Sequence, residues 1–364
     1  MTTLSVSAPA LRALRMERQG LLSPAADAGA YEALFRRMQP VRPVAFSCPG
    51  EPPALVYRCE EGGRCFAEPW RAQRRLVKGR FQGGRVGYIL ADDWETMIAA
   101  YRRPADLGDP CLRHFYEFFR REAPLTIHQM QEATGWKAKE ITALLHTLQQ
   151  AFLVYEDQVD GDWERGWYLF ESEFPQVTPG AVSREEALET LVLRQMESLG
   201  FADLETLRGF YCLPGRELKA AAGRLADRGL ALPASLEGRD GWMRPQDAAL
   251  LPAYAERPGP PSVFVLPLSD YLVLCAQAAL KRRFALPDVL QYLLVDGEFA
   301  GAVRGKWRQG PHDLWEIALF LPAGEAARRR EEIRAAVRAV YPHLDEMDCP
   351  LRAYGVGGGR PETL

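Results

Sequence analysis

The chain has 364 residues, of which 47% are hydrophobic and 26% charged, and its net charge is −3. That is the make-up of an ordinary globular protein of about two to three domains, and it excludes a disordered or collagen-like chain. No apolar run approaches the roughly 20 residues that span a bilayer and the N-terminus lacks a basic-then-apolar export signal, so the expectation is a cytoplasmic protein without a membrane partner.

The net charge conceals an uneven distribution. Residues 1–104 carry 16 basic and 10 acidic side chains, a net +6, whereas residues 105–174 carry 6 and 13, a net −7. A basic footprint attracts polyanions, and here it lies at the front of the chain. The seven cysteines, Cys48, Cys59, Cys65, Cys111, Cys212, Cys275 and Cys349, are odd in number, scattered and without a CxxC spacing. They read as reduced core thiols, and no histidine lies near Cys59 and Cys65 to complete a zinc site.

In chain order, Ala8 to Gln19 predicts an amphipathic helix ended by Gly20, and Ala30 to Met38 a second one that stops at Pro40. Pro40 and Pro43 keep residues 39–46 extended, and Ala54 to Arg58 begins a new element. Arg71, Arg74, Arg75, Lys78, Arg80 and Arg85 then interleave with Gly79, Gly83, Gly84 and Gly87. Glycines let backbone amides approach phosphates and arginines fork onto their oxygens, so this stretch suits a hairpin laid against nucleic acid. The plainer alternative is a solvated, charged edge strand. Asp92-Asp93-Trp94-Glu95 caps a helix running to Arg102.

Residues 109–170 have the clearest pattern. A helix carrying Leu112, Phe115 and Phe119 is followed by Thr126, which caps a helix to Thr134, and Gly135 breaks the chain. A third helix from Lys137 carries Ile141, Leu144, Leu145 and Leu148, and strands follow at residues 152–155 and 166–170. Three helices and a two-stranded ribbon make the winged-helix plan. Its third helix offers Lys137 and Lys139 to DNA, but its wing carries Glu156, Asp157, Asp160, Asp162 and Glu164, which would repel phosphates; this unit reads as a structural brick.

Ser183-x-x-Glu186 is a capping box, after which the plan repeats as helices 183–199, 202–210 and 215–228 and a wing over 231–243. Arg216, Lys219 and Arg224 on its third helix make it a somewhat better DNA candidate than the first. The proline-rich residues 257–261 mark a boundary. A strand from Val263, a helix with Lys281-Arg282-Arg283, a hairpin turning at Asp296-Gly297, a strand over 314–321, a helix from Ala323 to Val340 and a glycine tail at 357–359 complete the chain. The expected fold class is α+β: a basic winged-helix-like region (1–106), winged helices (107–176 and 177–256) and a β-rich, barrel-like domain (257–364).

Two winged helices behind a basic front, Arg18-Gln19-Gly20-Leu21-Leu22, Leu266-Pro267-x-x-Asp270-Tyr271 and Val295-Asp296-Gly297-x-x-x-Gly301 together resemble the AlkZ/YcaQ-like winged-helix DNA glycosylases, over nearly the whole chain. The resemblance implies tandem winged helices and a C-terminal β-barrel around a basic channel. It also implies double-stranded, damaged DNA as partner, excision of alkylated bases or unhooking of crosslinks, and no metal or organic cofactor. The family's water-activating Gln-x-Gln or Gln-x-Asp triplet falls here on Arg42-Pro43-Val44. Neither Arg42 nor Val44 can accept a proton from water, and an arginine beside an oxocarbenium-like centre disfavours that transition state. Where the family often has Arg-Gly-Thr-Leu-His, this hairpin reads Gly83-Gly84-Arg85-Val86-Gly87.

Gln39, three residues upstream of the triplet, and Asp270, at a strand end, are therefore the remaining catalytic candidates. Asp270 reads better as a structural cap or turn carboxylate at the strand end than as a catalytic acid. Trp136, Trp163, Trp167, Trp242 and Trp307 could stack on a flipped base, although such aromatics are usually core. The expected function is DNA binding by a monomer along Arg71, Arg74, Arg75, Lys78, Arg80 and Arg85, helped by Arg216 and Lys219, with altered or lost glycosidic hydrolysis. The alternative is a non-enzymatic regulator or a protein that recognises damaged DNA.

Overall fold

The computed structural model describes residues 3–44, 51–158, 165–257, 259–308, 312–356 and 362–363. The front of the chain contains β1 (Leu4–Ser5), α1 (Ala8–Arg18), α2 (Ala28–Met38), α3 (Arg64–Ala72), β2 (Leu76–Phe81), β3 (Arg85–Leu90) and α4 (Trp94–Tyr101). Helix α3 was not foreseen, because Gly62-Gly63 before it and Pro69 within it break the helical pattern. It forms because Ala67 and Trp70 share one buried face, and Gly63 at φ 83° admits the Tyr31 ring where a β-carbon would clash at 2.3 Å. Strands β2 and β3 pair antiparallel from Leu76↔Leu90 to Phe81↔Arg85. Asp93 stands before α4 but makes no side-chain cap; its carboxylate is engaged elsewhere.

Next come α5 (Pro110–Glu122), β4 (Leu125–Thr126), α6 (Ile127–Thr134), α7 (Ala138–Gln150), β5 (Val154–Asp157) and β6 (Gly166–Leu169), the last four residues of this unit leading into α8 (Phe170–Glu173). Thr126 and Gln129 form the capping box of α6, and Gly135 ends it in the left-handed region, as their residue types dictate. Phe115, Phe119, Met130, Ile141, Leu145 and Trp167 close a separate small core. Asp160, Asp162, Trp163 and Glu164 lie outside the described residues.

The same order of elements recurs in α9 (Arg184–Leu199), β7 (Ala202–Asp203), α10 (Leu204–Tyr211), α11 (Gly215–Asp227), β8 (Leu232–Leu236) and β9 (Arg239–Met243), followed by α12 (Pro245–Ala255). Here β1 adds to β8 in parallel, so the beginning of the chain completes a sheet formed more than 200 residues later.

The C-terminal part comprises β10 (Val263–Pro267), α13 (Tyr271–Phe284), β11 (Val289–Val295), β12 (Glu298–Lys306), β13 (Asp313–Leu319), α14 (Ala323–Arg328), α15 (Arg330–Val340), β14 (Leu351–Ala353) and β15 (Glu362–Thr363). Among the described residues its sheet runs β10-β11-β12-β13-β14-β15 and does not close, with β10 and β15 as its two edges. The barrel expectation is thus corrected to an open sheet, with α15 packed against the edge strand β10. Asp296 (φ 48°) and Gly297 (φ 79°) turn the β11–β12 hairpin with both residues left-handed, the geometry that favours an Asp-Gly pair. Gly301 is explained by packing: a β-carbon there would lie 2.1 Å from the Ala318 carbonyl oxygen on β13. The cysteine expectation holds only in part, with Cys59, Cys275 and Cys349 buried but Cys65, Cys111 and Cys212 exposed. Cys48 and the glycine tail lie outside the described residues.

Candidate nucleic-acid interface

Most of the basic hairpin is already matched to acids. Strand β5 packs beside β2 and carries two buried carboxylates, Glu156 and Asp157, from the segment expected to form an acidic wing. Arg71 on α3 bonds Asp157 at 3.0 Å and also the Gln158 carbonyl. Arg74 bonds Glu173 at 2.9 Å and lies over the rings of Tyr155 and Tyr168. Arg75 pairs with Glu32 and stacks on Trp70. Arg80 reaches Glu156 at 3.3 Å and Gln149 at 2.7 Å.

Lys78 is buried; burial depresses its ammonium, while Glu156 and Asp157 pull it the other way. Burial alone would raise the Glu156 carboxyl, but Lys78, Arg80 and Arg165 together hold it below its ordinary value. The +6 front and the −7 segment behind it therefore neutralise one another across an internal interface. The open channel expected along Arg71, Arg74, Arg75, Lys78 and Arg80 is corrected accordingly: Arg71, Arg74 and Arg80 are half-buried against carboxylates and Lys78 is buried, while Arg75 stays exposed but is paired with Glu32. Arg85 is the exception, exposed and without an ion pair among the described residues.

The two catalytic candidates are likewise committed. Gln39 is fully buried, donating from Nε2 to Asp93 and accepting at Oε1 from the Leu90 amide at 2.9 Å. Each end of its carboxamide is engaged by a buried partner, and the side chain is closed off from solvent. Asp93 also takes both Nη groups of Arg194, which ties the front to α9. Asp270 accepts two bonds from Arg58, at 2.6 and 3.2 Å, and caps α13 through the Leu272 amide at 2.8 Å. Gln19 accepts from Arg58 at 3.2 Å and donates to the Ser198 hydroxyl at 2.7 Å, which extends the network. Sequence reasoning missed Arg58, although an arginine embedded in Leu55-Val56-Tyr57 and followed by Cys59 is the mark of a buried charge. It missed Arg194 and Asp93 as partners because nothing in sequence links residues about a hundred apart.

What remains open gathers round the tip of the β2–β3 hairpin. Arg42 bonds the Gln82 carboxamide oxygen at 2.9 Å through Nε, and burial together with neighbouring Arg85 brings its guanidinium down to about 10. Cys212 and Tyr101 act on Arg42 in the opposite sense. Gly83 at the tip meets the loop after α10, since a β-carbon there would stand 3.9 Å from that of Cys212. Arg208, which sequence reasoning also missed, folds over the start of α11, its Cδ 2.7 Å from where a Gly215 β-carbon would be.

Arg216 and Lys219 follow on the exposed face of that helix. No carboxylate pairs with Arg42, Arg85, Arg208, Arg216 or Lys219 among the described residues. Lys137 and Lys139 are also exposed, at the start of α7. Trp167 is buried, Trp136 packs on Phe115, Trp242 packs against the main core, and Trp307 is 39% exposed.

The family model described as DNA glycosylase AlkZ-like matches residues 113–342. The solved structure of DNA glycosylase AlkZ from Streptomyces sahachiroi is similar in fold, with a TM-score of 0.66 and 16% identity over 96% of this chain and 100% of that one. No curated protein matches the chain significantly. With the matched segment spanning well over half of its length, this chain belongs to the AlkZ-like DNA glycosylase family.

Proposed function

We propose that the protein binds alkylated duplex DNA as a monomer on the face formed by the hairpin tip, Arg42 and the α10–α11 turn, and that it has lost or altered glycosidic hydrolysis. The carrying observation is the set of cations without carboxylate partners among the described residues: Arg42 and Arg85 neighbour one another near Cys212, which the hairpin tip meets at Gly83, and Arg208 and Arg216 flank Cys212 in the chain. Unpaired guanidinium groups are the ones free to replace counter-ions on phosphates. The twice-used order helix-strand-helix-helix-strand-strand supports reading both units as winged helices, with α7 and α11 as third helices. On that reading Arg216 and Lys219 stand at the base-proximal end of α11, while Lys137 and Lys139 contribute from α7.

Loss of hydrolysis is favoured by chemistry. Arg42-Pro43-Val44 offers no carboxamide or carboxylate oxygen for water, and Gln39 and Asp270 are consumed by buried partners. Anisotropy titrations on alkylated and plain duplex test the binding: about four neutralised phosphates imply about a hundredfold loss of affinity between 50 and 200 mM salt. A flat salt response refutes the surface. Alkali-induced strand breaks in alkylated duplex after incubation with the protein would refute the loss of hydrolysis.

A further inference from the structure

Away from that face, a cleft of about 300 Å³ opens between α1, the β8–β9 turn, α13 and the β11–β12 turn. This is within the range of small-molecule sites. Its walls include Leu11, Phe201, Leu236, Leu272 and Phe299, and Arg15 projects into it from α1. Arg15 donates through Nε to the Leu199 carbonyl at 3.2 Å, and no carboxylate hydrogen-bonds to it among the described residues.

The neighbouring titratable groups balance its charge only weakly. Burial pushes the Cys275 thiol up to about 12 and raises the Tyr271 phenol far above its usual value, so both are neutral at pH 7. Asp203 is spent on the Thr206 amide and hydroxyl and on Arg239 at 3.0 Å. Burial, with Arg239 nearby, depresses the Arg15 guanidinium, the signature of a charge short of a partner.

The remaining charges of the cleft can be accounted for in the same way. Arg12 pairs with Glu298, Arg239 with Asp203, and Glu205 with Arg282 outside the lining. Once these pairs are set aside, Arg15 and Arg283 are left against Glu237 alone, an excess of one positive charge beside the apolar walls. We propose that this cleft binds a small organic monoanion with an apolar body, an aromatic monocarboxylate, whose carboxylate seats on Arg15. The proposal does not depend on the DNA-binding reading.

Calorimetric titration of the full chain with 1-naphthoate is the test, with 1-naphthylmethanol as the neutral control. Saturable binding of one naphthoate is expected, at least tenfold tighter than the alcohol, and weakened at least tenfold by Arg15→Gln. Ala279→Trp fills the cleft while keeping Arg15, and should abolish binding as well; it decides the matter if the Arg15 variant does not fold. Absence of saturation at about 5 mM, equal binding of the alcohol, or unchanged affinity in Ala279→Trp each overturns the proposal.

Discussion

Asp270→Asn separates a structural carboxylate from a catalytic one. The carboxylate and Arg58 are 3% and 2% exposed, and two nitrogen–oxygen contacts of 2.6 and 3.2 Å join them. At an effective dielectric near 20 the gross attraction of such a pair is about 4 kcal/mol, most of which compensates for desolvation. Removing one partner forfeits that compensation and leaves the other charge stranded, at a cost of about 3–5 kcal/mol. Asparagine still caps α13, so the loss reports the ion pair rather than the cap.

Urea unfolding should therefore show a drop of that size in Asp270→Asn. Much of it should return in Arg58→Met/Asp270→Asn, where no charge is stranded. The structural reasoning is refuted if Asp270→Asn costs less than about 1 kcal/mol while abolishing base release from alkylated duplex, the result expected of a proton acceptor.

Arg85→Ala and Arg216→Ala should each weaken DNA binding and lower the salt slope by about one, whereas Arg71→Ala should leave the slope alone and reduce stability, because Asp157 loses its 3.0 Å partner; anisotropy and thermal melting read the two effects. Because the Glu156 carboxyl is held below its unfolded value of 4.5, the folded state binds fewer protons there, and the stability it contributes is present above that pH and lost as pH falls through the depressed value. Urea midpoints between pH 6 and about 3 should fall more steeply for the wild type than for Glu156→Gln. Gly301→Ala should cost about 3 kcal/mol by melting, since its methyl would strike the Ala318 carbonyl. Selection of DNA from random pools should return no repeated half-site; a repeated one would favour a dimeric regulator.

The elements were legible wherever local chemistry decides them. Thr126 with Gln129, Ser183 with Glu186 and Asp296-Gly297 each specify a cap or turn within four residues, and each does so in the fold. Helix α3 escaped because its glycines and proline argue against a helix that burial of Trp70 nonetheless stabilises. Helix 323–340 is split into α14 and α15 around Arg329, whose side chain bonds Asp296 and Glu332. The site was less legible for a physical reason: a run of arginines shows that positive charge is present but not where its counter-charges lie. Arg71 and Arg85 look alike in sequence, yet only one faces a buried aspartate 86 residues away.

The pairing of Glu156 and Asp157 with Arg71, Arg74 and Arg80 also governs how the molecule can be cut. A fragment starting near Pro110 retains its own small core but brings two carboxylates, shaped for burial, into water without Arg71, Arg74 and Arg80, leaving only Arg165 beside Glu156. Such a piece should be loosened at β5 and more acidic on its surface than the intact protein. Its failure to bind DNA would then reflect severed salt links rather than the binding preference of its third helix, so dissection is informative only with hairpin and strand kept in one polypeptide.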